Sequence, residues 1–213
     1  MFQPRTLLLV VLVLISLTWI SSASFLKMKV GVPAVQRAHV SEPNHSAATK
    51  LTEKASAAKK FTTANGYNTS VCFLIDMSLP SGQNRFFVYD LKGDSVEAAA
   101  LVTHGRCNEN WLEGRKYGNT PGCGCTSLGK YRIGNNYNGR FGSAYKLYGL
   151  EKTNDKAFER FVVLHSHACV PGTEVPDEIC QSDGCPTVSP MFLQQLSTVI
   201  KGSAKPVLLW IYP

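Results

Sequence analysis

Short apolar runs cut by turn residues fill the chain from residue 71 onward, and they limit what it can fold into. "VCFLIDMSL", "RFFVYDL" and "AAALVTHG" are separated by Pro-Ser-Gly and Lys-Gly-Asp turns, the pattern of strands in a meander. "GKYRIGNNYNG" and "AYKLYGL" continue the series, "RFVVLHSHACV" adds another strand, and "KPVLLWIY" closes the chain as a buried one. Two segments read as helices. The Ala- and Lys-rich stretch over about 46–64 starts at Ser46 and stops at the Asn65-Gly66 pair. "SPMFLQQLSTVIK" spaces Phe192, Leu193, Leu196, Val199 and Ile200 along one helical face, with Ser189 as cap and Pro190 in the first turn. The expected fold class is mostly β with flanking helices, in a chain of 213 residues that suits one domain.

The N-terminus points to export. One positive charge, Arg5, precedes an apolar run from Leu7 to Ile20 and small residues from Ser21 to Ser24. That is the layout of a secretory signal over 1–24, cleaved after Ala23 or Ser24. The run falls short of the roughly 20 apolar residues a membrane span needs, so a retained anchor is disfavoured. No Cys follows the small residues to carry a lipid. Residues 25–45 lack periodicity and read as a lead-in or tether. Loss of Arg5 lowers the net charge from +7 to +6, a basic surface compatible with acidic glycans or anionic lipids. No stretch interleaves Lys or Arg with aromatics in the manner of a single-strand groove, so nucleic acid is not an expected partner.

Export changes how the seven cysteines read. Outside the cytoplasm thiols pair, and an odd count allows six bridged and one free. Cys123 and Cys125, with His104 and Cys107 upstream, spell a metal cluster, but disulfides that pin long loops suit the compartment better. In "RFVVLHSHACV", strand alternation puts His165, His167 and Cys169 on one face, the start of a tetrahedral zinc site. No further ligand cluster follows at a recognisable spacing. The stretch "CQSDGCPTVS" places Cys185 on a Gly-containing turn that leads toward the last helix. Such a turn can aim backbone N–H groups at an oxyanion, and a thiol held there beside an imidazole is a competent nucleophile. One more bridged cysteine reads equally well from these residues alone.

The ordered set of motifs resembles the L,D-transpeptidase catalytic domain, within its murein branch of exported bacterial proteins. The matching residues are His165-Ser166 and Ser182-Asp183-Gly184-Cys185 followed by Pro186, with "DMSLPSGQNRFFVYDL", "LVTHG", "TSLGKYRIG" and "YGLEKTNDKAFERFVVLH" upstream. The likeness runs from about residue 58 to the C-terminus. Asp183 stands where many members have His, and Pro186-Thr187 replaces an Arg- or Asn-containing tail. The order His before Cys separates the chain from papain-like peptidases.

The resemblance implies a β-sandwich or open barrel over 46–213, with a helix after the catalytic Cys. It implies a cysteine acyltransferase of the periplasm or cell envelope that acts on peptidoglycan stem tetrapeptides, by cross-linking or carboxypeptidase trimming, with no cofactor and no metal. Cys185 becomes the cysteine expected to stay free and the nucleophile, His165 its base, and Ser166 the residue that orients the imidazole through its carbonyl. Gly184 supplies an oxyanion donor, and Ser182, Asp183, His104 and Tyr131 are weaker candidates for the cleft. Cys169 and Cys180, which bracket the intervening loop, are expected to bridge each other. The competing readings are a catalytically silent wall-binding module and a zinc hydrolase built on His165 and His167.

Overall fold

The computed structural model describes residues 45–213, so the signal expected over 1–24 and the lead-in up to residue 44 lie outside the described residues. Helix α1 (His45–Asn65) is followed by β1 (Val71–Asp76), β2 (Phe86–Asp90), β3 (Ser95–Ala100), β4 (Gly129–Gly139), β5 (Gly142–Gly149), β6 (Val163–Ser166), β7 (Thr187–Val188), α2 (Pro190–Lys201) and β8 (Leu208–Tyr212). The expected class, mostly β with flanking helices, is what the chain adopts. Among the described residues no helix is long and apolar enough to cross a membrane.

One eight-stranded sheet runs in the order β3-β2-β1-β8-β4-β5-β6-β7. The first three strands form the expected antiparallel meander. The last strand then inserts between β1 and β4, parallel to the former and antiparallel to the latter. Beyond β3 the chain crosses to the other end of the sheet, where Thr103 N–H donates to Thr187 O at 2.9 Å and Ser182 N–H to His104 O at 2.9 Å. These bonds bend the sheet toward closure, in the sense of an open barrel rather than a sandwich of two sheets.

Alternation along the strands sorts the core. Phe73, Ile75, Tyr131, Leu147 and Leu209 face inward and meet Phe192, Leu193 and Leu196 of α2. Ser189 caps that helix by accepting from Phe192 N–H, and Pro190 occupies its first turn, where no backbone donor is needed. Leu51, Ala55 and Ala58 form a stripe along α1 that covers the outer face of β1, β2 and β8 around Leu74, Phe87 and Leu208. Among the described residues no helix covers the outer face of β5 and β6 as α1 covers that of β1, β2 and β8.

Three expectations need correction. "RFVVLHSHACV" is a strand only over Val163–Ser166, because His167 begins a turn in which Val170 N–H donates to His167 O at 3.1 Å. The strand read in "AAALVTHG" starts earlier and ends at Ala100. The cysteines form two bridges, Cys107–Cys125 and Cys169–Cys180, and leave Cys72, Cys123 and Cys185 free, rather than one thiol alone. Cys72 lies inside β1 under α1 and packs as a small hydrophobe; burial pushes its thiol up to about 12. Cys123 accepts from Cys125 N–H through its sulfur at 3.4 Å, while the Cys125 sulfur is taken by Cys107.

Candidate active site

The parallel pair β6–β7 builds the site. Its register sets His165 opposite Thr187 and Ser166 opposite Val188, so Cys185, two residues before Thr187, comes level with Val163 on the same run. Val163 N–H donates to the Cys185 sulfur at 3.4 Å, and the thiol donates to Phe161 O at 3.8 Å. Phe161 has φ +57°, a left-handed backbone that a bulky residue seldom adopts, and its side chain is 84% exposed. The register thus brings Cys185 to within one two-residue step of His165 along the strand pair.

The Ser182–Cys185 turn is tied down by hydroxyls. Ser182 Oγ donates to Cys185 O at 2.7 Å and accepts from Gly184 N–H at 3.2 Å. Thr103 Oγ1 donates to the same Cys185 carbonyl at 3.2 Å. Gly184 has φ +105°, and a Cβ there would come within 2.6 Å of Cys125 O, so no other residue fits this close approach. The Gly184 N–H, read from the sequence as an oxyanion donor, is held by the Ser182 hydroxyl in this structure.

His165 is buried, and its Nδ1 lies 3.1 Å from Ser166 O. With the carbonyl accepting, Nδ1 carries the proton and Nε2 presents its lone pair. Burial holds the imidazole below its ordinary 6.5, with His167 acting in the same direction and the Ser166 carbonyl opposing. Burial also pushes the Cys185 thiol above its ordinary 9.0, against the pull of Val163 N–H and Arg160. At neutral pH both groups are uncharged. The site holds a thiol and a neutral base, not a preformed ion pair.

The remaining candidates divide by position. Asp183 sits on the rim, exposed, and pairs with Arg106 at 2.8 Å. Ser182 faces into its own turn and serves as a staple rather than a surface for substrate. His104 is 1% exposed, and its ring accepts from the buried Arg85 at Nδ1 (3.2 Å), while its backbone carbonyl holds Ser182. Desolvation, with Arg115 and Arg85 nearby, lowers its pKa to about 4. Tyr131 is fully buried in the inner core and donates to Ser127 O at 2.7 Å. Both side chains are buried. Each carries enough apolar ring to pack, and each found its polar partner inside.

His167 is exposed beyond the end of β6, where its Nδ1 accepts from Cys169 N–H at 3.1 Å. Cys169, Cys107 and Cys125 are spent in disulfides and are not thiolate ligands. Among the described residues no group of three or more His, Cys, Asp or Glu is placed to hold a metal.

Three residues at the site escaped sequence reasoning. Thr187 Oγ1 stands 3.0 Å from His165 Nε2 and 3.3 Å from Cys185 O. Phe141, at the β4–β5 turn, stacks on the His165 ring at 5.0 Å with an interplanar angle of 16°. Arg160 donates to Cys125 O at 2.6 Å, to Gly118 O at 3.0 Å and to Ser127 Oγ, which brings its guanidinium beside Gly184. Thr187 entered the sequence reading only as part of the Pro186-Thr187 departure, without a role.

The arrangement sets a free thiol, an imidazole held by a backbone carbonyl and a Gly turn on one strand pair, groups whose chemistry suits acyl transfer to sulfur. Residues 43–212 match the family profile described as the L,D-transpeptidase catalytic domain. Two solved structures of the helical cell shape determining protein Pgp2 from Campylobacter jejuni, a K307A mutant and the unmutated protein, align at 14% and 16% identity with a TM-score of 0.44. Each alignment covers 67% of this chain but only 46% and 47% of those chains, so this chain spans under half of their length. No curated protein matches the chain.

Proposed function

The chain belongs to the L,D-transpeptidase catalytic-domain family, and from that premise we propose that it is a cysteine acyltransferase acting on peptidoglycan stem tetrapeptides. The family supports a peptidoglycan-related role, and the two disulfides fit a compartment outside the reducing cytoplasm. The observation that carries the finer reading is the placement of Cys185 one step along β6–β7 from His165, whose Nδ1 is held by the Ser166 carbonyl.

In this reading the Cys185 thiol turns from Phe161 O toward the imidazole and gives its proton to Nε2 of His165 as sulfur attacks, while the Thr187 hydroxyl shifts its own proton from Nε2 to the Cys185 carbonyl. The target is the carbonyl between the third residue of the stem, a diamino acid, and the terminal D-alanine. The C–S bond forms, the C–N bond breaks, and the imidazolium returns the proton to the leaving amine. The Cys185 N–H is the oxyanion donor we assign, worth about 3 kcal/mol in comparable sites. The amine of a second stem then displaces sulfur to give a cross-link, or water does so to give a trimmed tripeptide.

Purified tetrapeptide muropeptides incubated with the chain are expected to lose D-alanine, with tripeptide or cross-linked dimer read by mass. Cys185→Ala abolishes both products while the chain stays folded. Intact muropeptide from the parent protein, or unchanged turnover by Cys185→Ala, overturns the proposal.

A further inference from the structure

The half of the outer sheet face that α1 leaves bare carries alternating cations and rings. Arg132 pairs with Tyr148 across β4–β5, while Lys146 and Ala144 pair with Val163 and His165 across β5–β6, so these side chains share the face of the imidazole. The Arg132 guanidinium lies 4.2 Å from the centre of the Tyr148 ring. Tyr148 stacks on Phe158 at 5.0 Å and 12°, and Lys146 Nζ stands 5.6 Å from the Phe158 ring and 5.8 Å from that of Tyr137. Phe158 is 50% exposed. Among the described residues neither Arg132 nor Lys146 forms an ion pair.

We propose that this stripe binds the glycan strand that bears the stem peptide. The inference rests on the peptidoglycan reading above. A pyranose ring offers an apolar C–H face that suits half-exposed aromatic rings, and its hydroxyl and N-acetyl oxygens can accept from the two uncompensated cations. The stripe is continuous with the site. Phe158 belongs to the loop in which Phe161 offers its carbonyl to the Cys185 thiol, so a strand laid along the stripe delivers its stem to the nucleophile. The turn that holds Phe141 over His165 adds Arg140, 5.4 Å from that ring, at the near end.

The probe is glycan strands freed of every peptide by an amidase, titrated against the full chain. Saturable binding by the parent is expected, weakened at least about fivefold by Lys146→Glu and by Phe158→Ser. Circular dichroism and urea unfolding show both variants folded, and their turnover of free tetrapeptide, which lacks the sugars, stays at the parent level. Equal glycan binding by parent and variants, absence of binding by the parent, or equally tight binding of a single-stranded oligonucleotide overturns the proposal. Because the probe has no stem, glycan binding with the expected losses stands even if Cys185 proves inert, and the two readings can fail separately.

Discussion

Thr187 Oγ1 lies 3.0 Å from His165 Nε2, and the same oxygen lies 3.3 Å from the Cys185 carbonyl. One hydroxyl is thus within reach of the His165 nitrogen and of the Cys185 carbonyl, and its single proton serves one of them at a time, the nearer nitrogen at rest. Its donation favours the neutral, proton-accepting form of the ring and fixes that ring against the Gly turn.

Removing this bridge has a defined signature. Thr187→Val is expected to slow acylation of Cys185 about fivefold, the worth of one hydrogen bond of about 1 kcal/mol, with KM unchanged. The acid limb of the rate profile moves up, since the neutral imidazole loses a donor. Thr187→Ser restores both rate and profile, which a packing defect does not allow.

The uncharged resting pair predicts the pH behaviour. Acylation rises as pH passes the depressed pKa of His165, below 6.5, and then holds a plateau. Alkylation of Cys185 by iodoacetamide without substrate keeps rising with pH through neutrality and levels off only above pH 9.0, where the raised thiol titrates. His165→Gln removes the acid limb of the first profile and leaves the second in place. A flat alkylation plateau at neutral pH contradicts the assignment, because it marks a thiolate–imidazolium pair.

His104 ties stability to pH. Its folded pKa of about 4 lies below the ordinary 6.5, so the unfolded chain binds a proton in that window and the folded chain does not. Its contribution is fully present above pH 6.5 and is lost as pH falls toward 4, about 3 kcal/mol over the window. Urea unfolding at about pH 4.5 and about pH 7 is expected to show a steeper fall in the parent than in His104→Leu, whatever the variant loses at neutral pH. Parallel slopes contradict the buried, neutral ring.

The cysteine count is directly measurable. Denatured without reductant, the chain is expected to react at Cys72, Cys123 and Cys185. In the native state Cys72 stays protected inside β1. Replacing Cys169 and Cys180 together by Ser costs about 3 kcal/mol of stability, the loop-closure value for a bridge of this span. A single reactive thiol in the denatured chain contradicts the pairing.

Much of this was legible in the chain because it rests on local pattern. β4 runs over the residues that the Gly- and Asn-punctuated run "GKYRIGNNYNG" spells, and α2 begins where Ser189-Pro190 sets a cap. The order of strands was not legible. The insertion of β8 between β1 and β4 depends on which apolar faces meet in space, and no periodicity encodes that. Thr187 was hidden for a related reason: β7 is two residues long, too short for alternation to show, and its partner β6 is distant in sequence. The surroundings of His104 and Tyr131 were not legible either, because a histidine or tyrosine that ends in a buried polar contact carries the same letters as one that meets substrate.

The central claim is that the Cys185 sulfur carries the acyl group. The most direct measurement is the intact mass of the chain, quenched in acid during turnover of a tetrapeptide muropeptide and then mapped by peptide digestion. The account predicts an adduct equal to the muropeptide less alanine, confined to the peptide that holds Cys185 and absent from Cys185→Ala. Release of D-alanine with no adduct on Cys185, and with full activity in Cys185→Ala, contradicts it.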